Sequence, residues 1–148
     1  MRKLDVRLFG LKVMSEKTNN IKRLNPETLP KSPQFSQVIE VRGGRTVYVS
    51  GQIPMNQNGE LVGQNDFPQQ AKQVFKNLEN ALRAVDLDFT NIVKITSFVA
   101  DMKYLEEYRA VRLELLPSNV MPTSTTVEAR SIHPDILLEV EVIAVADN

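Results

Sequence analysis

The clearest periodic pattern in the chain predicts a helix that begins after Asp66. Apolar residues recur there at helical spacing, and charged and amide side chains lie between them. Asp66 and Gln69 have the spacing of a capping box, and Pro68 lies in the first turn, where its missing N–H costs little. This apolar stripe consists of Ala71, Val74, Phe75, Leu78, Ala81, Leu82 and Val85. Asp101 can cap a second helix, whose shorter stripe consists of Leu105, Tyr108, Val111, Arg112 and Leu115.

Runs of β-branched and aromatic residues predict strands around these helices. The runs span residues 21–24, 36–41, 46–50, 91–100, 123–130 and 136–145. Gly43-Gly44 predicts a hairpin between the second and third strands. In the fourth strand Val93 is expected to share a face with Ile95, and Ile92 to lie on the other face, so a second subunit or the sheet interior should cover both sides. The order of elements predicts an α+β fold, a mixed sheet with two helices on one face.

The third predicted strand runs into the tight sequence Ser50-Gly51-Gln52-Ile53-Pro54. Gly51 allows the backbone to turn or to approach another group closely, and Pro54 cannot donate a further ladder hydrogen bond. Ser50 is therefore presented at a strand end, which is a common position for a ligand-binding group. An ordinary turn is the alternative interpretation of the same residues.

The last predicted strand carries two carboxylates on one face. Glu139 and Glu141 are two positions apart, which places them roughly 7 Å from each other. Such a pair suits general acid–base work on a water molecule, and a solvated sheet face is the alternative. Ile143 and Val145 continue the same face, so we expect a partner subunit or a pocket to cover it.

A third group of polar residues lies on the strand before Glu139. Ser124 and Thr126 share one face of that strand, and the chain then leads directly into the Glu139 strand, so the two strands are predicted to pair as a hairpin. Ser50, Ser124 or Thr126, and Glu139 would form a small-ligand site if their strand ends converged. The residues alone show no nucleophile–base triad, phosphate-binding loop or metal-ligand spacing.

Composition narrows the function further. The 148-residue chain suits one domain, and 18 basic against 18 acidic residues leave no bulk charge to hold nucleic acid or an anionic membrane. The absence of cysteine excludes thiolate catalysis, and His133, the only histidine, lies in a loop-like sequence. No apolar run approaches the ~18 residues of a membrane span. Residues 1–19 are expected to form an N-terminal extension and residues 20–148 a cytoplasmic domain.

These motifs, taken in order, resemble the RidA (YjgF) family. The resemblance covers about residues 21–145 and rests on the combination, because each piece alone is weak. It is carried by Ser50-Gly51-Gln52-Ile53-Pro54, Gln70, Asn77-Leu78, Leu82, the run from Ile92 to Asp101, Pro122, Thr126-Val127-Glu128 and the run from Leu138 to Ala144.

The resemblance implies a chorismate-mutase-like α+β fold and a homotrimer whose three clefts are each lined by two subunits. For active members it also implies hydrolysis of reactive enamine/imine intermediates to keto acids and ammonia, without cofactor or metal. By position, Glu139 matches the carboxylate that positions or activates water, Ser50 with Gly51 matches the strand end in the cleft, and Phe35 matches an aromatic residue that lines it.

One departure from the family pattern bears on the chemistry. Active deaminases carry an arginine two residues after the proline, where its guanidinium pairs with the substrate carboxylate; this chain has Ser124 there. The family's frequent cysteine is Thr126, and its cleft asparagine aligns with Arg109. Arg130 lies about 20 Å along the strand, too far to substitute.

Arg109 is therefore the candidate anion-binding residue, and an exposed ion pair with Glu106 or Glu107 is the alternative role for it. Two functions stay open: an enamine/imine deaminase with altered substrate that uses Glu139, or a non-catalytic trimer that binds a small metabolite, such as a carboxylate. A ribonuclease, the third activity attached to relatives, is disfavoured by the balanced charge.

Overall fold

The computed structural model describes residues 20–146 of the chain. The strands are β1 Ile21–Leu24, β2 Val38–Val41, β3 Arg45–Gln52, β4 Ile92–Val99, β5 Thr123–Glu128 and β6 Leu138–Ala146. The helices are α1 Phe67–Arg83 and α2 Leu105–Leu115, with short 3₁₀ turns at Phe89–Asn91, Met102–Tyr104 and Ser118–Val120. Every predicted strand and helix is present within a few residues of its predicted bounds. The extension predicted at residues 1–19 lies outside the described residues.

Four strands form the main sheet in the order β3-β6-β4-β5, and β1 pairs with β2 in a separate two-stranded sheet. The β4–β5 pair is parallel, and the β3–β6 and β4–β6 pairs are antiparallel. Both helices pack on the same side of the main sheet, which we call the helix face; the other side is the open face. The predicted α+β fold with a mixed sheet is confirmed.

The apolar stripe of α1 forms the centre of the core, as its periodicity predicts. Asp66 caps the helix by accepting a hydrogen bond from the Gln69 N–H at 3.0 Å. The helix buries Ala71, Val74, Phe75, Leu78 and Leu82 against alternate residues of β6, namely Leu138, Val140, Val142 and Ala144. The second helix is anchored by Tyr108, whose hydroxyl shares a hydrogen bond with Ser97 of β4.

Both hairpin predictions are wrong. The turn at Gly43-Gly44 does have positive φ at both glycines, 81° and 91°, but β2 pairs with β1 and β3 pairs with β6. Likewise β5 does not pair with β6, because β4 lies between them and takes β5 as a parallel neighbour. In each case a partner distant in sequence replaces the nearest strand.

The predicted faces of β4 need a correction at its start. A register shift between Ile92 and Lys94 places Ile92 in the helix-side core, while Val93 faces the opposite way. Val93 packs there with Ile21 and Val145 in a second, smaller cluster. The β1–β2 sheet therefore covers one end of the open face and leaves the other end, around Glu139, uncovered by residues 20–146.

Candidate functional site

The predicted site residues lie on two opposite faces of the main sheet. Ser97 points to the helix face, where it meets Tyr108, and the β4–β5 register pairs Ser97 with Thr126. Ser124 and Thr126 therefore face the helices. The next residue of β4, Phe98, pairs with Glu139, so Glu139 faces the open side. One subunit does not bring Glu139 and Ser124 together.

The open-face group is built around a β-bulge at Ser50-Gly51. Val49 pairs with Val142 and Gln52 pairs with Val140, so Ser50 and Gly51 both lie opposite the single residue Glu141. A bulge adds one residue to a strand and redirects the side chains beside it. The strand end singled out in the sequence is thus an irregular point in the β3–β6 ladder.

Gly51 leaves the space that the Glu139 carboxylate occupies. A Cβ atom at Gly51 would lie 2.1 Å from Glu139 Oε1 and 3.1 Å from its Cγ, so any other residue would displace the carboxylate. The second oxygen, Oε2, accepts a hydrogen bond from Ser131 Oγ at 2.6 Å. Ser131 was not predicted, because it lies in a loop where no periodic pattern marks it. Together the glycine and Ser131 hold one orientation of Glu139.

Ser50 lines a separate groove of about 260 Å³ on the open face, together with Tyr48, Thr96 and Glu141. Tyr48 is 77% exposed there, a large value for an aromatic residue in the middle of a strand. The polar and apolar mixture predicted for this face is therefore present, and residues 20–146 leave it open. The surface is suited to contact with a second subunit.

The helix-face group surrounds a cavity of about 220 Å³ between α2, β5 and the segment 32–35. Four of the predicted site residues line it: Phe35, Arg109, Ser124 and Thr126. We call this space the helix-side cavity. Its walls combine hydroxyl groups, an aromatic ring and cationic side chains, and more of the predicted site residues line it than line the groove at Ser50.

Arg112 is the charged residue most deeply placed in the helix-side cavity. Only 3% of its surface is exposed. Its Nη1 donates to Ser124 Oγ and its Nη2 donates to the Gln34 carbonyl, both at 2.9 Å. The guanidinium carbon lies 5.6 Å from the centre of the Tyr108 ring, a cation–π distance. Burial is the main cause of a lowered pKa for Arg112; the Tyr108 hydroxyl opposes that shift and nearby Arg109 adds to it.

Arg109, the predicted anion-binding residue, lines the same cavity but is engaged elsewhere. Its Nη1 lies 2.6 Å from Glu106 Oε1, and its side chain is 46% exposed. This is the ion-paired arrangement weighed as the alternative. Arg130 lies beside His133 at another surface depression, away from the cavity.

Sequence reasoning assigned Arg112 only to the apolar stripe of α2. A usable signal was present, since an arginine on the stripe that faces the core must either reach water or find partners inside. Its partners could not be read from the sequence, because Gln34 is 78 positions away and Ser124 lies on a different element, β5.

Two further observations concern ligands and membranes. Within residues 20–146, no group of three or more acidic or histidine side chains is arranged to hold a metal ion. None of the helices in this part of the chain has the length and apolar character needed to cross a membrane. A larger concavity of about 800 Å³ lies beside α1, and Gly51 is the one predicted site residue among those that line it.

The mixed sheet, the two helices on one face and the polar groups at the strand ends define a chorismate-mutase-like α+β protein. The chain belongs to the RidA (YjgF) family: the family model described as Endoribonuclease L-PSP matches residues 27–146. Several relatives are named RutC family proteins or 2-iminobutanoate/2-iminopropanoate deaminases.

Particular relatives agree with this assignment. The chain is 35% identical over 119 residues to the protein MMF1, mitochondrial, of Saccharomyces cerevisiae, covering 80% of this chain and 79% of that protein. It is 32% identical over 112 residues to the 2-iminobutanoate/2-iminopropanoate deaminase of Homo sapiens, covering 75% and 79%. A crystal structure of a Rid family protein from Yersinia pestis matches with a TM-score of 0.73 at 30% identity, covering 86% of this chain and 99% of that chain.

Proposed function

We propose that the protein is an enamine/imine deaminase that converts small 2-imino acids to 2-oxo acids and ammonia. The observation that carries the proposal is the position of Glu139. Its carboxylate occupies the space that Gly51 leaves open and accepts a hydrogen bond from Ser131. A carboxylate fixed at an irregular strand end can orient a water molecule. Relatives named as imine deaminases support the same chemistry.

In this reaction, water adds its oxygen to the imine carbon, the carbon–nitrogen bond breaks, and ammonia leaves while the oxygen becomes the new carbonyl. Glu139 accepts a proton from the attacking water and passes it to the imine nitrogen, which gives a carbinolamine. It then moves the hydroxyl proton of this intermediate to the nitrogen as the carbon–nitrogen bond breaks. Both protons of one water thus reach the nitrogen, and the reaction needs no other reactant.

The active cleft is proposed to form between subunits of a homotrimer. Glu139 with Ser50 and Gly51 lies on the open face, and Phe35, Ser124 and Thr126 line the helix-side cavity behind the same sheet. A second copy whose helix-side cavity meets the open face would complete the cleft. The exposure of Tyr48 supports this contact. The cytoplasmic location stays a prediction, and the yeast relative is named mitochondrial.

A second candidate, a non-catalytic trimer that binds a metabolite, is favoured by one residue. Ser124 stands where active deaminases have their substrate-binding arginine. A cleft without that guanidinium could keep the fold and bind a ligand without turning it over.

Deamination of 2-iminopropionate, generated in situ from alanine, tests the proposed reaction. We expect clear turnover by the wild type and a loss of about 10²–10⁴-fold in Glu139→Gln, the range typical for general acid–base groups. Glu114→Gln is the control and should keep wild-type turnover, because Glu114 is exposed on α2 and belongs to neither group of site residues. Turnover indistinguishable from background in the wild type would instead favour the metabolite-binding trimer.

Gly51→Ala provides a second variant that leaves every catalytic group chemically intact. Its methyl group would collide with Glu139 Oε1, so the carboxylate must move from its present position. Activity should fall about tenfold or more while the carboxylate itself remains, since small misplacements of a catalytic group are costly. Activity equal to wild type would show that the position of the Glu139 carboxylate does not affect turnover.

Co-expression of two inactive variants tests the shared cleft. Glu139→Gln removes the open-face carboxylate, and Ser124→Glu places a carboxylate against the Arg112 guanidinium in the helix-side cavity. Random mixing at equal amounts in a trimer would leave about a quarter of the clefts with both halves intact, the open face from one variant and the helix-side cavity from the other. The mixture should therefore have about a quarter of wild-type activity. Mixed trimers as inactive as their parents would contradict a cleft built by two subunits.

A further inference from the structure

Arg112 is a buried cation without an anionic partner in the described part of the chain. It is 3% exposed, and within residues 20–146 none of the ion pairs includes it. A buried charge is costly unless it is paired, and arginine does not lose its proton in proteins. The lowered pKa of Arg112, caused first by burial, has the direction expected of a cation that lacks its counter-charge.

Its hydrogen-bonding capacity is also incompletely used. A guanidinium has five N–H donors, and two of those of Arg112 are engaged, one by Ser124 Oγ and one by the Gln34 carbonyl. The Nε–H is buried without an acceptor among the described residues. The side-chain oxygen of Gln34, which lines the same cavity, is likewise buried without a donor. Within the described residues, the Arg112 guanidinium thus lacks both an anion and acceptors for part of its N–H groups.

We infer that Arg112 replaces the arginine that the family places on β5, and that it binds the substrate carboxylate in the helix-side cavity from the side of α2. Ser124 then has a defined role: its small side chain leaves room for the guanidinium and accepts one of its hydrogen bonds. This inference rests on the proposed function for the reaction, but the anion site can be tested without turnover.

The cavity suits a short ligand that carries a carboxylate. Its volume of about 220 Å³ suits a small molecule. A carboxylate fits the planar guanidinium fork of Arg112. Short 2-imino acids combine both features.

Arg109 is less suited to this role. It already forms an ion pair with Glu106, and it is partly exposed, so a ligand there would compete with that carboxylate and with water. Arg112 has no such competitor in the described part of the chain. Arg109 instead adds positive charge near the cavity entrance.

Calorimetric titration with pyruvate and with its neutral amide, pyruvamide, tests the site. The wild type should bind pyruvate about tenfold or more tightly than pyruvamide, because a hydrogen bond to a charged group contributes about that factor. Arg112→Met should weaken pyruvate binding about tenfold or more and remove the preference over pyruvamide. Arg83→Met is the matched control, since Arg83 is an exposed helix arginine paired with Glu79, and it should change neither affinity.

The double variant Arg112→Met with Ser124→Arg moves the guanidinium from α2 to β5. It should recover pyruvate binding, which a general loss of packing could not do. Arg112→Lys keeps the charge but not the planar guanidinium, so it should bind pyruvate with intermediate affinity. This variant replaces Arg112→Met in the test if the Met variant does not fold. Unchanged pyruvate affinity in Arg112→Met or Arg112→Lys, equal wild-type affinity for pyruvate and pyruvamide, or no wild-type binding of pyruvate would overturn the inference.

Binding and turnover separate this inference from the deaminase proposal. Glu139→Gln should lose deamination but keep pyruvate binding. If the wild type binds pyruvate through Arg112 and does not deaminate, the proposed reaction fails and the anion site stands. If Arg112→Met deaminates as well as the wild type, the anion site fails and the reaction stands. Inorganic phosphate that binds as tightly as pyruvate would contradict the carboxylate assignment.

Discussion

Gln70 and Arg112 are both polar helix residues that are almost completely buried, and they differ in how their hydrogen-bonding groups are satisfied. Gln70 is 0% exposed; its Nε2 donates to the carbonyls of Gly63 and Asp135, and its Oε1 accepts from the Leu137 N–H. Within residues 20–146, Arg112 uses two of its donors and has no counter-charge. The hydrogen-bonding groups of Gln70 are all satisfied within the protein, whereas those of Arg112 are not.

The comparison separates structural polar groups from ligand-binding ones. Gln70 connects the loop before α1 to the loop before β6, so its hydrogen bonds replace those that buried backbone groups would otherwise lack. Arg112 lies beside a cavity with unused donors, where a ligand can supply what the chain does not. A buried polar residue therefore indicates a site only when its partners are missing and a cavity adjoins it.

The largest expected effect on stability is at Gln70. Gln70→Leu keeps a similar volume but leaves the Leu137 N–H and the Asp135 carbonyl without their partners, each worth about 1–3 kcal/mol, while the Gly63 carbonyl keeps the Asp66 N–H. We expect the free energy of unfolding to fall by about 2–4 kcal/mol in urea denaturation. Gln69→Leu is the control, since that side chain is exposed. Equal stability of the two variants would mean that the three hydrogen bonds of Gln70 are replaced by water.

A smaller effect is expected at Tyr108, the neutral polar group beneath Arg112. Burial raises the pKa of its phenol, against opposing effects of Arg112 and of the Ser97 hydrogen bond. The folded state therefore keeps its proton at pH values where the unfolded chain loses it, so stability present below about pH 10 is lost as pH rises toward the raised pKa.

Tyr108→Phe isolates that contribution. At pH 8 it should cost about 1 kcal/mol through the lost Ser97 hydrogen bond. Above pH 10 the advantage of the wild type over Tyr108→Phe should shrink, by up to about 1.4 kcal/mol per pH unit. Urea denaturation of both proteins from pH 8 to pH 11 measures the difference, and a gap that stays constant across this range would contradict a raised phenol pKa.

Local patterns in the sequence predict most of the fold. The α1 stripe, the Asp66 cap and the alternation in β6 each depend on residues a few positions apart, so their physics is visible in one dimension. Strand neighbours are different. The pairing of β3 with β6 joins segments about a hundred residues apart, and the glycine turn before β3 gave no information about it.

The site follows the same division. Glu139 and Gly51 stand out in the sequence, but the contact between them depends on the bulge at Ser50-Gly51, which arises only from the register of two distant strands. Arg112 looked like part of an apolar stripe, because the carbonyl of Gln34 and the hydroxyl of Ser124 reach it only in the folded chain. Its missing counter-charge is a property of the three-dimensional structure.

The smallest expected change in stability decides the comparison between Gln70 and Arg112. Arg112→Met removes two hydrogen bonds and a cation–π contact, but it also removes the cost of burying an unpaired charge. We expect the free energy of unfolding without ligand to change by no more than about 1 kcal/mol in either direction. Urea denaturation alongside Arg83→Met measures this. A loss as large as that of Gln70→Leu would make Arg112 a structural residue whose partners are already sufficient, and the difference between the two buried groups would disappear. Near-equal stability, combined with weakened pyruvate binding, would show that Arg112 serves ligand binding and not the stability of the fold.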